Sequence, residues 1–154
     1  MTVLPEVSIR YATKDDIDFI IDSQLNMALE TENLSLQKTT VSAGVEGVFT
    51  NPHKGFYLVA VAGEKPIACL MITAEWSDWR NAWMWWIQSV YVLPEWRRNG
   101  VFGSMYDFLK ARVNEQSMVS GMRLYVDKSN TTAQEVYRRM GMNGNHYLTF
   151  EWMK

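Results

Sequence analysis

Apolar and polar positions alternate at the beginning of the chain and then change to a helical spacing. The segment VSIRYAT places Val7, Ile9 and Tyr11 on one side of an extended backbone, which predicts a first strand. Thr13 and Asp16 in TKDD have the spacing of a capping box. Apolar residues follow at helical intervals, so a first helix is predicted to about residue 30 and a weaker one over about residues 37–49.

The rest of the chain alternates strand-like apolar runs with two further helical patterns. The predicted strands are, in chain order, GFYLVAV, PIACLMITAEW, WMWWIQSVYV, GMRLYVD and HYLTFEWM. A helix follows Gly100, with Phe102, Met105, Leu109 and Val113 on one face. The last helix is NTTAQEVYRRMG, whose final glycine is a stop signal.

The resulting order, β-α-α-β-β-β-α-β-α-β, predicts an α/β fold of the mixed α+β kind. Helices cover a mixed sheet, and the unit from Trp83 to Val126 is a parallel crossover if its two strands are neighbours. The chain of 154 residues predicts a single domain over residues 1–154, and it contains no internal repeat or low-complexity linker.

Charge and cysteine content exclude several classes of protein. A formal net charge of -2 argues against broad binding of nucleic acid or of a membrane surface, since both need a basic field. The sequence shows no signal peptide and no apolar run near the ~20 residues of a membrane helix. The single cysteine, Cys69, lies in the apolar run IACLMI, so we expect a buried thiol and a reducing, cytoplasmic compartment.

The segment VYVLPEWRRNGVFGSMY passes from a strand through Arg97, Arg98 and Gly100 into a helix. A helix N-terminus offers unpaired backbone N–H groups and the positive end of a dipole, so the segment predicts an anion site. It is not a Walker A loop, because no Gly-Lys-Ser/Thr follows, and it lacks the glycine spacing of a dinucleotide fingerprint.

Two motifs in order resemble those of the GNAT family of N-acetyltransferases. RRNGVF, from Arg97 to Phe102, matches R-x-x-G-x-(G/A) except at its last position, and YVDKSNTTAQEVYRRMGM places Asn130, Tyr137 and Gly141 where that family has an asparagine, a tyrosine and a helix-ending glycine. The resemblance covers nearly the whole chain. It implies a central mixed sheet of about six to seven strands flanked by about four helices.

The resemblance implies acetyl-CoA as co-substrate, with its pyrophosphate on the loop and helix start and its pantetheine arm along the fourth strand. The implied cofactor-binding residues are Val90, Tyr91, Val92, Arg97, Arg98, Asn99, Gly100, Val101, Phe102, Gly103, Ser104 and Asn130. Phe102 replaces the usual small residue, and we expect its ring to point into the core while Gly103 relaxes the following turn.

Three predicted roles, those of Tyr137, of Asn130 and of the backbone N–H of Val90 or Tyr91, have a second interpretation. Tyr137 lies on the apolar face of its helix, as a core tyrosine would, whereas the resemblance implies a phenol that protonates the departing thiolate. Asn130 is either an N-cap or a contact to the pantetheine arm, and the two roles are compatible. The backbone N–H of Val90 or Tyr91 either faces the developing oxyanion, as the family implies, or belongs to a fully paired central strand.

The general base is open. Gln88 lies where many members of the family carry a glutamate, and an amide cannot accept the amine's proton. Glu30 and Glu32, after the first helix, are candidates for the base or for binding a cationic acceptor. Other carboxylates to consider are Glu75, Asp78 and Glu151. Because His53 and His146 are isolated, no metal site is predicted, and no serine nucleophile has a partnered histidine pattern.

Five tryptophans cluster at Trp76, Trp79, Trp83, Trp85 and Trp86. They belong either to the core with one solvent face, or to an aromatic acceptor pocket or a homodimer surface.

The sequence thus predicts a small N-acetyltransferase that moves an acetyl group from acetyl-CoA to a primary amine, most simply of a small molecule, by direct attack in a ternary complex. The alternatives are a non-catalytic coenzyme A-binding regulatory or interaction module, which Gln88 keeps open, and a nucleotide-binding domain, against which the missing P-loop lysine argues.

Overall fold

The computed structural model describes residues 5–154 and divides the chain into two compact units, the first ending at Arg123 and the second being Leu124–Lys154. The first unit contains the sheet and three α-helices. Its elements are β1 (Val7–Tyr11), α1 (Ile17–Glu32), α2 (Lys38–Thr50), β2 (Phe56–Ala62), β3 (Lys65–Ser77), β4 (Ala82–Val92), α3 (Val101–Glu115) and β5 (Val119–Arg123). The second unit contains α4 (Thr131–Arg139). Short 3₁₀ turns occur at Lys14–Asp16, Pro52–Lys54 and Pro94–Trp96.

The sheet is mixed and its spatial order follows the chain, β1-β2-β3-β4-β5. The four strands β1 to β4 pair antiparallel, and β5 joins β4 in parallel through α3, as predicted for that crossover. The mixed α/β fold and its four α-helices are therefore confirmed. The prediction of about six to seven strands was wrong, since five are formed in residues 5–154.

The difference lies at the end of the chain. The predicted closing strand, HYLTFEWM, has no helix or strand assignment, and β5 ends at Arg123 before the predicted LYVD extension. A strand needs a hydrogen-bonded partner, and within the second unit α4 is the one regular element. Whether the whole chain behaves as one domain stays a prediction.

The beginning of α1 is fixed by the predicted capping box. The backbone N–H of Thr13 donates to Oδ2 of Asp16 at 2.8 Å. Arg10 of β1 donates to both oxygens of the same carboxylate, at 2.7 and 3.0 Å. This fork ties the end of the first strand to the start of the first helix. At its other end, α1 stops at Asn33, which adopts a left-handed φ of 50°.

Helices α1 and α2 cover one face of the sheet. Ile20 and Ile21 of α1 form a buried cluster with Val59, Cys69 and Tyr91 of three successive strands. Helix α3 covers the other face. Its Phe108 ring lies 5.9 Å from that of Tyr11, which pairs with Leu58. Leu58 is next to Val59 in β2, and adjacent side chains of a strand point to opposite faces. Among the described residues, no helix is both long and apolar enough to cross a bilayer.

Candidate active site

Strand β4 carries a β-bulge in the segment predicted to lie along the cofactor arm. The β3–β4 register shifts between Cys69 and Met71, so that two residues, Ser89 and Val90, stand opposite a single residue of β3. Ser89 has a φ of 53°, a left-handed conformation that is uncommon for a residue with a side chain. The ladder to β3 is therefore irregular at Val90, next to the N–H groups predicted to face an oxyanion.

The predicted anion loop connects the end of β4 to the start of α3. Arg98 and Gly100 both have left-handed backbone, with φ of 63° and 74°. Gly100 is the N-cap of α3, and a Cβ built on it would meet no atom within 4 Å. The side chain of Asn99 folds back on the loop, since its Nδ2 donates to the carbonyl of Arg97 at 3.0 Å.

The first turn of α3 leaves backbone donors available. The N–H of Ser104 is the first to bond within the helix, to the carbonyl of Gly100 at 3.0 Å, and its hydroxyl donates to the same carbonyl at 3.3 Å. In an α-helix the N–H groups before that point have no intrahelical acceptor. The loop therefore places the backbone donors of residues 101–103 beside Arg98 and open space at Gly100, an arrangement that suits an anion.

Phe102 lies at the edge of the core, less deeply than the sequence-based expectation placed it. Its side chain is half-buried and its ring centroid lies 6.5 Å from that of Tyr106. The buried positions of α3 are Val101, Met105, Tyr106 and Leu109. Phe102 follows Val101 and lies one turn before Tyr106, so it is at the border of this buried face.

Arg97, the first residue of the loop, is held by three groups. Its Nη2 donates to Oε2 of Glu30 at 2.6 Å, and its Nε donates to the carbonyl of Val92 at 2.9 Å. Its guanidinium carbon lies 5.3 Å from the centroid of the Tyr91 ring. Arg97, which is predicted to bind the cofactor, thus contacts Glu30, which is predicted to bind the acceptor.

The carboxylate of Glu30 also accepts from the Tyr91 hydroxyl, at 2.9 Å to Oε1. The hydrogen bonds from Arg97 and then Tyr91 lower the pKa of Glu30 below its ordinary value. Burial, followed by the bond to Glu30, raises the pKa of the Tyr91 phenol. A carboxylate with a lowered pKa is a weak base, so this environment disfavours Glu30 as the general base. Glu32, also predicted, is exposed at the last position of α1.

Gln88 makes a cross-strand bond, with its Nε2 donating to Oγ1 of Thr73 at 2.6 Å. The other candidate bases are engaged elsewhere or exposed. Glu75 pairs with Arg123 at 2.7 Å, Asp78 accepts from the N–H of Trp79 at 3.0 Å, and Glu151 is exposed in the second unit.

The second unit carries Asn130 and Tyr137 on the helix predicted for them. Asn130 is the N-cap of α4, and its Oδ1 accepts from the N–H of Ala133 at 3.0 Å. Burial raises the pKa of the Tyr137 phenol, which keeps that group protonated at neutral pH. Gly141 has a φ of 90° just after the helix, as expected of a stop signal. The roles of Asn130 and Tyr137 toward a cofactor stay predictions.

The tryptophan cluster is divided between interior and surface. Trp85 is 7% exposed, whereas Trp79 at the β3–β4 turn is 91% exposed. Trp76 and Trp83 lie between these extremes, and their rings pack edge to face with centroids 5.0 Å apart. Trp83 and Trp85 line a cavity of about 370 Å³ with Gln116 at the C-terminal end of α3. This cavity is therefore at the opposite end of α3 from Gly100.

Within residues 5–154, no group of three or more histidine, cysteine, aspartate or glutamate side chains is arranged to hold a metal ion.

Sequence reasoning missed the bulge at Ser89 and the bonds that join Glu30 to Tyr91 and Arg97. Ser89 has no local signal for a left-handed conformation, which glycine or asparagine adopts more often. Glu30 and Arg97 are 67 positions apart, so their pairing depends on how the sheet and α1 pack.

The sequence matches the family model described as "Acetyltransferase (GNAT) family" over residues 22–142. Because this match covers well over half of the 154 residues, the chain belongs to the GNAT family. A comparison with curated proteins found no match.

Solved structures give the same class. A possible acetyltransferase from Clostridium difficile 630 is 38% identical, with a TM-score of 0.90 over 96% of this chain and 97% of that chain. The aminoglycoside acetyltransferase meta-AAC0020 from an uncultured soil metagenomic sample, in complex with sisomicin, is 16% identical, with a TM-score of 0.76 over 96% and 95% of the two chains.

AAC(6')-Iy in complex with the bisubstrate analog CoA-S-monomethyl-acetylneamine is also 16% identical, with a TM-score of 0.75 over 97% of this chain and 99% of that chain. At such identities the last two share the fold alone. The family match and the 38% identical structure support acetyl transfer in general.

Proposed function

We propose that the protein is an acetyl-CoA-dependent N-acetyltransferase that acts on a primary amine by direct attack in a ternary complex. The observation that carries this proposal is the loop from Arg97 to Gly100, which delivers an open helix N-terminus just beyond the bulged end of β4. Such a terminus suits a pyrophosphate, because its N–H donors and dipole favour negative charge.

Acetyl-CoA, when bound, supplies an acetyl group activated as a thioester. Backbone N–H groups of residues 101–103 and the Arg98 side chain would hold its phosphates, while Arg97, already paired with Glu30, would support the loop. The N–H of Val90 or Tyr91, beside the bulge, would donate to the carbonyl oxygen as negative charge develops on it. Asn130 would contact the pantetheine arm as well as capping α4.

In the transfer itself, a bond forms between the amine nitrogen and the acetyl carbon, and the carbon–sulfur bond breaks. The Tyr137 hydroxyl would give its proton to the sulfur, and the proton lost by the amine would be carried by solvent to the resulting phenolate, which restores the phenol. Because Gln88 cannot take a proton and Glu30 has a lowered pKa, no side chain is assigned as the base.

Thermal melting with acetyl-CoA, free coenzyme A and ATP tests the cofactor assignment first. A ligand at about 100 times its Kd should stabilise the fold by roughly 2.7 kcal/mol. We expect both coenzyme A species to raise Tm and ATP to have no effect. No shift with either coenzyme A species would refute the proposal, and a shift with ATP alone would favour a nucleotide-binding domain.

A panel of amines assayed by thiol release would then test transfer. The panel should include polyamines, amino acids and sisomicin, the last because it is bound to a structural neighbour. Release of thiol that depends on an amine is the expected result.

A coenzyme A-binding module without turnover is the second candidate, and the engagement of Gln88 with Thr73 favours it. Binding without amine-dependent release of thiol would select it. Two further expectations belong to the proposal. The single buried cysteine suits a reducing, cytoplasmic compartment, and exposed Trp79 suits a homodimer contact.

A further inference from the structure

We propose that Glu30 is a positioning residue that braces the coenzyme A-binding loop, and that it does not serve as a ligand for the acceptor amine. This inference rests on the proposed function, because its effect is expected in the affinity for coenzyme A. It assigns to a helix α1 carboxylate a role in the cofactor half of the site.

Both oxygens of the Glu30 carboxylate are occupied. Oε1 accepts from the Tyr91 hydroxyl at 2.9 Å, and Oε2 accepts from Nη2 of Arg97 at 2.6 Å. A carboxylate whose charge is already neutralised by a guanidinium offers little to a cationic substrate. The negative charge that would attract an ammonium ion is therefore already paired with Arg97.

The two partners of Glu30 lie on either side of the connection between β4 and the loop. Tyr91 follows the bulge at Ser89, and its backbone pairs with Cys69 of β3. Arg97 begins the loop, and its Nε also donates to the carbonyl of Val92 at 2.9 Å. This brace, the bonds of Glu30 to Tyr91 and Arg97, thus connects α1 to both ends of the segment between β4 and the loop.

The conformation that this brace holds is an unusual one. Directly after Arg97, the backbone of Arg98 is left-handed, with a φ of 63°. A left-handed residue with a side chain persists only where its neighbours fix it. Without Glu30, Arg97 would keep one hydrogen bond to Val92, and the loop would sample conformations in which the α3 N-terminus is less well presented.

The test is a set of coenzyme A affinities measured by isothermal titration calorimetry at low salt. Glu30→Gln removes the charge and keeps the size, and its matched control is Glu115→Gln. Glu115 also pairs with an arginine, Arg112 at 3.0 Å, but at the C-terminal end of α3. We expect Glu30→Gln to weaken binding by about fivefold, the upper range for an exposed ion pair, and Glu115→Gln to leave it unchanged.

A double-mutant cycle gives a readout that a general loss of stability would not move. In an Arg97→Gln background, Glu30→Gln should have no further effect on coenzyme A affinity, because the brace acts through Arg97. An unchanged or tighter Kd for Glu30→Gln alone would overturn the inference, as would additive effects of the two substitutions. If the unsubstituted protein binds no coenzyme A, the proposed function itself fails, which is a different result from binding that ignores Glu30.

Discussion

A negative charge placed at Gly100 should weaken the binding of coenzyme A without disturbing the fold. The residue caps α3 in a left-handed conformation, with φ of 74° and ψ of 11°. A Cβ there meets no atom within 4 Å, so the strain of a substitution is conformational and not steric. Asparagine and aspartate tolerate this conformation better than other residues and are nearly equal in size. Gly100→Asp and Gly100→Asn therefore form a pair that differs by one charge.

The magnitude follows from Coulomb's law. If the two charges of a pyrophosphate lie about 6 Å from the new carboxylate in water-like surroundings, the added repulsion is about 1.4 kcal/mol, or a tenfold loss of affinity. The smaller effective dielectric constant near a protein surface makes this a lower bound. The repulsion should shrink as salt is added, because exposed charges are screened over about 10 Å at 0.1 M.

The assay is the Kd for coenzyme A of both variants, together with their Tm in the absence of ligand. We expect equal Tm values for the two variants and a Kd at least about tenfold weaker for Gly100→Asp than for Gly100→Asn. Equal Kd values in two folded variants would refute the placement of the pyrophosphate at this helix start. A large difference in Tm with equal Kd values would show that Gly100 matters for folding alone.

Three further outcomes are expected. Tyr137→Phe should leave the Kd for coenzyme A unchanged and lower kcat by about 100-fold or more, and equal turnover would leave Tyr137 as a packing residue. Burial raises the pKa of the Cys69 thiol to about 12, so native protein should resist a thiol reagent that labels it in urea, and Cys69→Ala should keep full transferase activity. Burial raises the pKa of Asp16, but the bonds from Arg10 and Thr13 outweigh it, and the net pKa lies below the ordinary 3.8. The stability that Asp16 contributes is therefore present above that value and lost as pH falls through the lower folded-state pKa. Because the Arg10 side chain is 41% exposed, urea unfolding should show Asp16→Asn to be about 1–2 kcal/mol less stable at neutral pH, with a weaker loss of stability in acid.

The strand, loop and helix start around the proposed cofactor site were largely predictable because their signals are local. The strand, the two arginines, the glycine and the helix start occupy one continuous segment, and their chemistry follows from the helix terminus itself. The same locality explains why Phe102 was expected deeper in the core than it lies. Helical spacing places Phe102 beside the buried Val101 and Tyr106, but its depth depends on where the first turn meets the sheet, which adjacent residues do not specify.

The contacts of Glu30 could not be predicted in the same way, because they depend on residues distant in sequence. Glu30 and Glu32 are two positions apart in one helix and have the same side chain, yet the first meets Arg97 and Tyr91 and the second is exposed. Only the packing of α1 against β4 separates them.

The same packing bears on the missing base. Gln88 bonds Thr73, and the carboxylate of Glu30 is paired with Arg97, so neither is assigned as a base in the proposed mechanism. In that mechanism the protein stabilises the developing oxyanion more than it activates the amine. It would therefore favour acceptors that reach the site already deprotonated.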